Sequence, residues 1–273
     1  MAGELNLSRY IDEYETVTRK QAPKLANNLD GLFQKIESGI ELPPRGQQAV
    51  DFGFTAHTLS DPTENPEIFN YYRWVTKNML SEFPIRELSA QLIGTSFTTA
   101  NIFHTDLPQP VTLNQWQIEK MQTINSMAKK AVILENNGVF IYLHELHPKW
   151  PLINQSGNDF NQANNQVMLM LKNQGVKMAY LGDLDSSGIQ IADHLSRLLG
   201  NPVELFDIQT PNRVIDWLIR FGKENTKRTK QVSIKHPLLI EEMNSIHTLE
   251  KFVEQEQLIQ DYEKLIKEWI QNH

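Results

Sequence analysis

Short apolar runs alternate with helical stretches through the middle of this 273-residue chain, and that alternation restricts its fold more than any other feature. AVILE (131–135) has the composition of a strand buried on both faces. A helical stretch follows, then PLINQ (151–155) and a turn and cap at SGND. Residues 159–174 place Phe160, Ala163, Val167, Met168 and Leu171 on one helical face, and Gly175 closes that helix. VKMAYLGD (176–183) reads as the next strand. Gly188 opens a helix carrying Ile191, Ala192, Leu195 and Leu198 inward, and PVELF (202–206) reads as a fourth strand. This spacing predicts βαβ units and an α/β fold, with a parallel sheet of about four strands flanked by helices.

The flanks are helical. In residues 4–38, Leu5, Tyr10, Ile11 and Tyr14, then Leu25, Leu29, Leu32, Phe33 and Ile36, recur at helical spacing, and Pro23 breaks the run. NPEIFNYYRWVTKNMLSEF (65–83) continues the pattern, and Thr112 is placed to cap a helix through NQWQIEKMQTINSMAKK. From Thr248 to Ile270 a stripe of Leu249, Phe252, Val253, Ile259, Tyr262, Ile266, Trp269 and Ile270 predicts a C-terminal amphipathic helix packed on the core, with docking to a partner as the alternative. The expected organisation is a mainly helical region over 1–128, the α/β domain over 129–210, and a basic loop with a helical extension over 211–273.

Twenty-six basic against 33 acidic residues give a net charge of −7, which disfavours a protein that coats nucleic acid by bulk electrostatics. One stretch runs the other way: KENTKRTKQVSIKH (223–236) holds Lys223, Lys227, Arg228, Lys230 and Lys235 against Glu224. It reads either as a solvated loop or as a phosphate contact. The absence of cysteine rules out disulfides and thiolate metal sites and fits a reducing cytoplasm. No apolar run approaches a membrane span, and the first residues lack the layout of a signal peptide, so a cytoplasmic protein without membrane association is expected.

Three acids fall where a strand ends: Glu135 after AVIL, then Asp183 and Asp185 in YLGDLDSSG. One α/β unit separates Glu135 from the aspartates, so a parallel sheet brings all three to one edge. Side chains two apart on an extended chain point the same way, and their repulsion is relieved by a cation. Hard oxygen donors at the carboxyl ends of neighbouring strands suit Mg²⁺. A capping role for one aspartate is the plainer alternative. Asp183, Asp185, Ser187 and Gly188 also match the first half of a calcium loop, but its twelfth position is His194 rather than Glu, and a strand precedes it. HELH (144–147) is not a zinc motif and runs into Pro148. Phosphate-binding glycine loops and the GxSxG nucleophile motif are absent.

Glutamate after the first strand and D-x-D after the third resemble the Toprim domain shared by topoisomerases, bacterial primases, OLD-family nucleases and a ribosomal-RNA-maturing ribonuclease. ILEN around Glu135, INQSG (153–157) and YLGDLDSSGIQIAD (180–193) resemble the Toprim module of Wadjet-type plasmid-defence nuclease subunits (JetD-like), which are related to the topoisomerase VI A subunit. FTAHTLSDPT (54–63) and LPQPVTLNQW (107–116) resemble the same lineage, and FVEQEQL (252–258) resembles its acidic tail motif, so the likeness covers roughly residues 50–260. Only about fifty residues precede FTAH, where many relatives carry a longer DNA-binding region. Tyr71 and Tyr72 sit among apolar residues and read as core, which favours hydrolysis over a covalent tyrosyl link.

The resemblance implies a Toprim-like (Rossmann-like) sheet and a Mg²⁺-dependent nuclease, with Mn²⁺ as substitute, that cleaves invading plasmid or phage DNA delivered by an SMC-like ATPase complex. A homodimer is expected. Asp183 and Asp185 would hold the ion, with Glu135 a further ligand or the base that activates water. Glu254 and Glu256 would supply a second-metal ligand. Ser156 and Gly157 would lie near the phosphate, and Lys227, Arg228 and Lys230 along the backbone. The rival readings are a non-catalytic assembly subunit and a Toprim ribonuclease.

Overall fold

The computed structural model describes residues 8–88, 97–113, 124–156 and 162–271, which form two compact units, Met1–Ser89 and Ala90–His273. In the first, α1 (Arg9–Thr18), a 3₁₀ turn (Ala26–Leu29), α2 (Asp30–Glu37), α3 (Arg45–Asp51) and α4 (Pro66–Asn78) pack around Tyr10, Leu32, Phe33, Ile36, Ile68 and Val75. Ser8 and Asn65 cap α1 and α4 by accepting backbone N–H bonds, and α1 ends ahead of Pro23. Tyr71 and Tyr72 are buried in this core, as their apolar setting predicts.

The second unit is built on a five-stranded mixed sheet. Its strands are β1 (Phe97–Ala100), β2 (Val111–Leu113), β3 (Lys130–Leu134), β4 (Leu152–Asn154) and β5 (Lys177–Leu181), in the order β2-β1-β4-β3-β5. β3 pairs in parallel with β4 and β5, whereas β1 is antiparallel to both β2 and β4. The helices are α5 (Asn137–Leu146), α6 (Gln162–Asn173), α7 (Ser186–Leu198), α8 (Pro211–Phe221), α9 (Pro237–Leu249) and α10 (Ile259–Gln271). A two-stranded ribbon joins β6 (Lys223–Glu224) to β7 (Lys251–Phe252). Ala131–Leu134 and Met178–Leu181 are almost entirely shielded, as strands covered on both faces must be. Each large apolar side chain so buried stabilises the fold by roughly 1.5–3 kcal/mol. Among the described residues no helix is long and apolar enough to cross a membrane.

Four expectations are corrected. The sheet is mixed and starts upstream of residue 129, because β1 and β2 add an antiparallel edge. Thr112 is a strand residue whose hydroxyl meets that of Thr98 at 3.1 Å, and the helix expected after it falls largely outside the described residues. PVELF forms a 3₁₀ turn, Val203–Phe206, rather than a strand: Leu205 and Phe206 are buried side by side while Val203 is 87% exposed, a pattern that period-2 alternation cannot produce. The segment from Thr248 to Ile270 is not one helix. α9 stops at Leu249, Glu250 turns at φ 52°, β7 and the 3₁₀ turn Gln255–Leu258 intervene, and α10 begins at Ile259.

The connections place the switch point of the sheet at β3. The chain leaves β3 for β4 on one side and returns across it to β5 on the other. The crevice beyond the carboxyl ends of such strands is where open α/β sheets bind ligands. Gly188, in the first turn of α7, holds this edge tight: a Cβ there would lie 2.1 Å from the Asp183 carbonyl oxygen. Gly188→Ala is therefore expected to cost about 1–3 kcal/mol and lower the melting temperature by roughly 4–10 °C. An unchanged calorimetric melting temperature would contradict the close approach.

Candidate functional site

Glu135 follows β3 directly, and its carboxylate turns toward β5. Its Oε2 accepts the Tyr180 hydroxyl at 2.9 Å and the Asp183 backbone N–H at 3.1 Å. Gly182 makes room for this, since a Cβ there would lie 2.6 Å from the same oxygen. The Gly182 N–H donates to Gln209 Oε1, and Gln209 in turn donates to the buried Glu242. Burial, with repulsion from Asp183, pushes the Glu135 carboxyl up to about 8.

Asp183 and Asp185 flank Leu184, whose backbone pairs with the C-terminal segment. Leu184 and Val253 exchange backbone hydrogen bonds of 2.9 and 3.2 Å in an isolated antiparallel bridge. This bridge brings Glu254, Gln255 and Glu256 to the edge of the sheet. The Gln255 N–H donates to Asp183 Oδ1 at 3.0 Å, Gln255 Oε1 accepts the Asn136 N–H, and Glu256 Oε1 accepts the Asn136 side-chain amide at 2.8 Å. Glu256 Oε2 is buried without a hydrogen-bond partner. Burial and the Asp183 charge push Glu256 up to about 8, and burial with the Asp185 charge pushes Asp183 up to about 6. Asp185 also caps α7, its Oδ1 accepting the Gly188 N–H at 2.8 Å, so the capping and cluster roles coexist on one carboxylate.

Arg228 sits among these acids. Its Nε donates to Asp185 Oδ2 at 2.7 Å, its Nη1 to Glu254 Oε1 at 2.9 Å and its Nη2 to Asp183 Oδ2 at 3.1 Å. The Phe252 ring centre lies 4.1 Å from its Cζ. Burial opposes its charge, but Asp185, Asp183 and Glu254 outweigh that and hold the guanidinium protonated. The loop is built for this placement. Asn225 Oδ1 accepts the Lys227 N–H in a local turn, and the Ser186 N–H donates to the Arg228 carbonyl. The Ser186 hydroxyl lies 2.9 and 2.6 Å from the carbonyls of Arg228 and Lys230. Asp193, also on α7, accepts the N–H groups of Lys235 and His236.

The sequence-derived candidates thus divide. Glu135, Asp183, Asp185, Glu254 and Glu256 meet at the carboxyl edge of the sheet. Ser156 lies at the end of β4 on that edge, where its hydroxyl accepts from Asn154 at 2.6 Å, and Gly157 lies outside the described residues. The basic stretch is not a wholly solvated loop: Lys227 and Lys230 are exposed, while Arg228 points into the acids. Asn136, Tyr180 and Gln255 lie inside quoted motifs without being singled out, Gln209 and Glu242 lie outside them, and all five join the network through the topology. His147 of HELH pairs with Glu263 at 2.7 Å and takes no part.

Could these residues hold a divalent cation? The donors are hard oxygens, one buried carboxylate oxygen lacks a partner, and the acids raise one another's proton affinity, all of which fit a hard cation. As placed they surround the guanidinium, and among the described residues no three acidic or imidazole groups are set to close on one ion. The chemistry fits, with Arg228 as the cation in place.

The raised carboxyls have a stability consequence. Between about pH 4.5 and 8 the folded protein keeps protons on Glu135 and Glu256 that the unfolded chain releases, so stability falls as pH rises through that window, by at most about 1.4 kcal/mol per pH unit for each group. Glu135→Gln should raise the melting temperature at pH 8 relative to the parent and leave it nearly unchanged at pH 4.5, in chelator-treated protein. An equal shift at both pH values would show that Glu135 is not held protonated.

No curated protein matches this chain. A family model described as "Protein of unknown function C-terminus (DUF2399)" matches residues 111–271, more than half of the chain and the stretch that contains every acid of the cluster. The chain belongs to the DUF2399 family.

Proposed function

We propose that this protein is a metal-dependent nuclease of Toprim type that hydrolyses DNA phosphodiester bonds, resembling the nuclease subunits of Wadjet-type plasmid defence. The observation that carries this reading is the convergence of Asp183, Asp185 and Glu254 within hydrogen-bond reach of one cationic group, beside Glu135 and Glu256, at the switch point among the parallel strands of a mixed β-sheet. Mg²⁺, or Mn²⁺ in its place, would be held by Asp183, Asp185 and Glu254 and would supply charge neutralisation for the phosphodiester and its leaving oxygen. Glu135 is the remaining acid, a further ligand or the base that takes a proton from water. Gln255 and Asn136 fix the carboxylates through their N–H groups. Lys227 and Lys230 stand exposed beside the cluster, where a phosphate backbone would pass. An SMC-like ATPase complex as the source of DNA, a cytoplasmic setting and a dimeric state belong to the same reading.

A second reading is favoured by Arg228 itself. A guanidinium that satisfies three carboxylates needs no ion, which suits a non-catalytic subunit that uses the same fold for assembly. Nicking of supercoiled plasmid in Mg²⁺ or Mn²⁺ separates the two. Asp183→Asn and Asp185→Asn retain a side-chain oxygen for Gln255 and for the α7 cap, so both should fold. Cleavage should fall to background in each. Cleavage that persists in both variants removes the nuclease reading, and activity on structured RNA but not plasmid replaces it with a ribonuclease. Absence of divalent-ion binding by calorimetry, together with co-elution in a larger complex, supports the assembly subunit.

A further inference from the structure

The three nitrogens of the Arg228 guanidinium each meet a different carboxylate, at 2.7, 2.9 and 3.1 Å. Those carboxylates belong to the same residues that the nuclease reading assigns to a divalent ion, and the inference below rests on that assignment. A guanidinium and a hard dication cannot both take these oxygens, because each neutralises the charge that draws the other. Arg228 is not a stray surface side chain. It is about one quarter exposed, its carbonyl is fixed by Ser186, and the Phe252 ring lies against it.

We propose that Arg228 is the resident counter-cation of this site, a positioning residue that competes with a divalent ion for Asp183, Asp185 and Glu254 and must leave them for the ion to bind. The geometry also says where it goes. Ser186 holds the Arg228 backbone, and the neighbours Lys227 and Lys230 are exposed. A displaced guanidinium therefore joins those two lysines at the rim, where it meets an anionic substrate. A phosphodiester that draws Arg228 outward favours the ion, and the ion that expels Arg228 favours the phosphodiester, so the two ligands bind with positive coupling. Bonds to charged groups in partly buried settings are strong enough for this competition to show in affinity.

The test is calorimetric titration of the full-length chain with Mn²⁺, in the absence of nucleic acid, for the parent protein, Arg228→Gln, Phe252→Leu and the double variant Arg228→Gln/Asp183→Asn. Arg228→Gln is expected to bind Mn²⁺ about tenfold more tightly, the equivalent of one charge-assisted contact removed from the competitor. Phe252→Leu, which loosens the guanidinium without changing any charge, should shift affinity a few-fold in the same direction. The double variant should lose the gain. Unchanged or weaker Mn²⁺ binding in Arg228→Gln overturns the proposal, as does the absence of binding in both that variant and the parent. If circular dichroism shows Arg228→Gln to be unfolded, Phe252→Leu decides by the same criterion. Tighter Mn²⁺ binding without plasmid cleavage by the parent protein upholds the competition and rejects the nuclease, so the two readings fail separately.

Discussion

Five acidic side chains crowded at one sheet edge are tolerable only because of how their charge is divided. Glu135 and Glu256, buried and beside the Asp183 charge, are pushed up to about 8 and hold protons near neutral pH. Asp183, Asp185 and Glu254 share the single guanidinium of Arg228, and Glu254 also lies 3.9 Å from Lys223. Without that division, isolated carboxylates in this setting would cost several kcal/mol each. The rest of the site follows from it: the loop must return to the sheet edge to deliver Arg228, and Gly182 must lack a side chain to admit Glu135.

The fold acts as a means of delivery from distant parts of the chain. Glu135 arrives from the central strand β3 and Asp183 from its neighbour β5, so one register fixes both. Glu254 and Glu256 arrive through two backbone hydrogen bonds between Leu184 and Val253. Asp185 begins α7, and that helix holds the basic loop at its first turn through Ser186 and again, two turns on, through Asp193. Asp185 and the counter-charge are thus mounted on the same helix.

Much of this was legible in the sequence. AVIL and KMAYL announce buried parallel strands by their continuous apolar character, and Glu135, Asp183 and Asp185 stand where such strands end. The short strands were harder to read: FTTA and VTL hold no apolar run, and their pairing is set by β4 and by each other rather than by local pattern. The apolar stripe after Thr248 matched a helix because Phe252 and Val253 are buried at positions a helix would also bury, while the backbone bridge to Leu184 is a tertiary fact. Arg228 was visible as charge but not as direction. Composition places it in a basic stretch, and only the Asn225 turn and the Ser186 contacts show that it faces inward.

The Ser186 clamp has a kinetic corollary. Because the carbonyls on either side of Thr229 are tied to the start of α7, the main chain there is not free to swing, and any exchange of partners by the guanidinium reduces to rotation about side-chain bonds. Rotamer changes of exposed residues take picoseconds to nanoseconds, whereas loop rearrangements run from nanoseconds to microseconds. A site organised in this way responds to an arriving ligand without waiting for its backbone to refold.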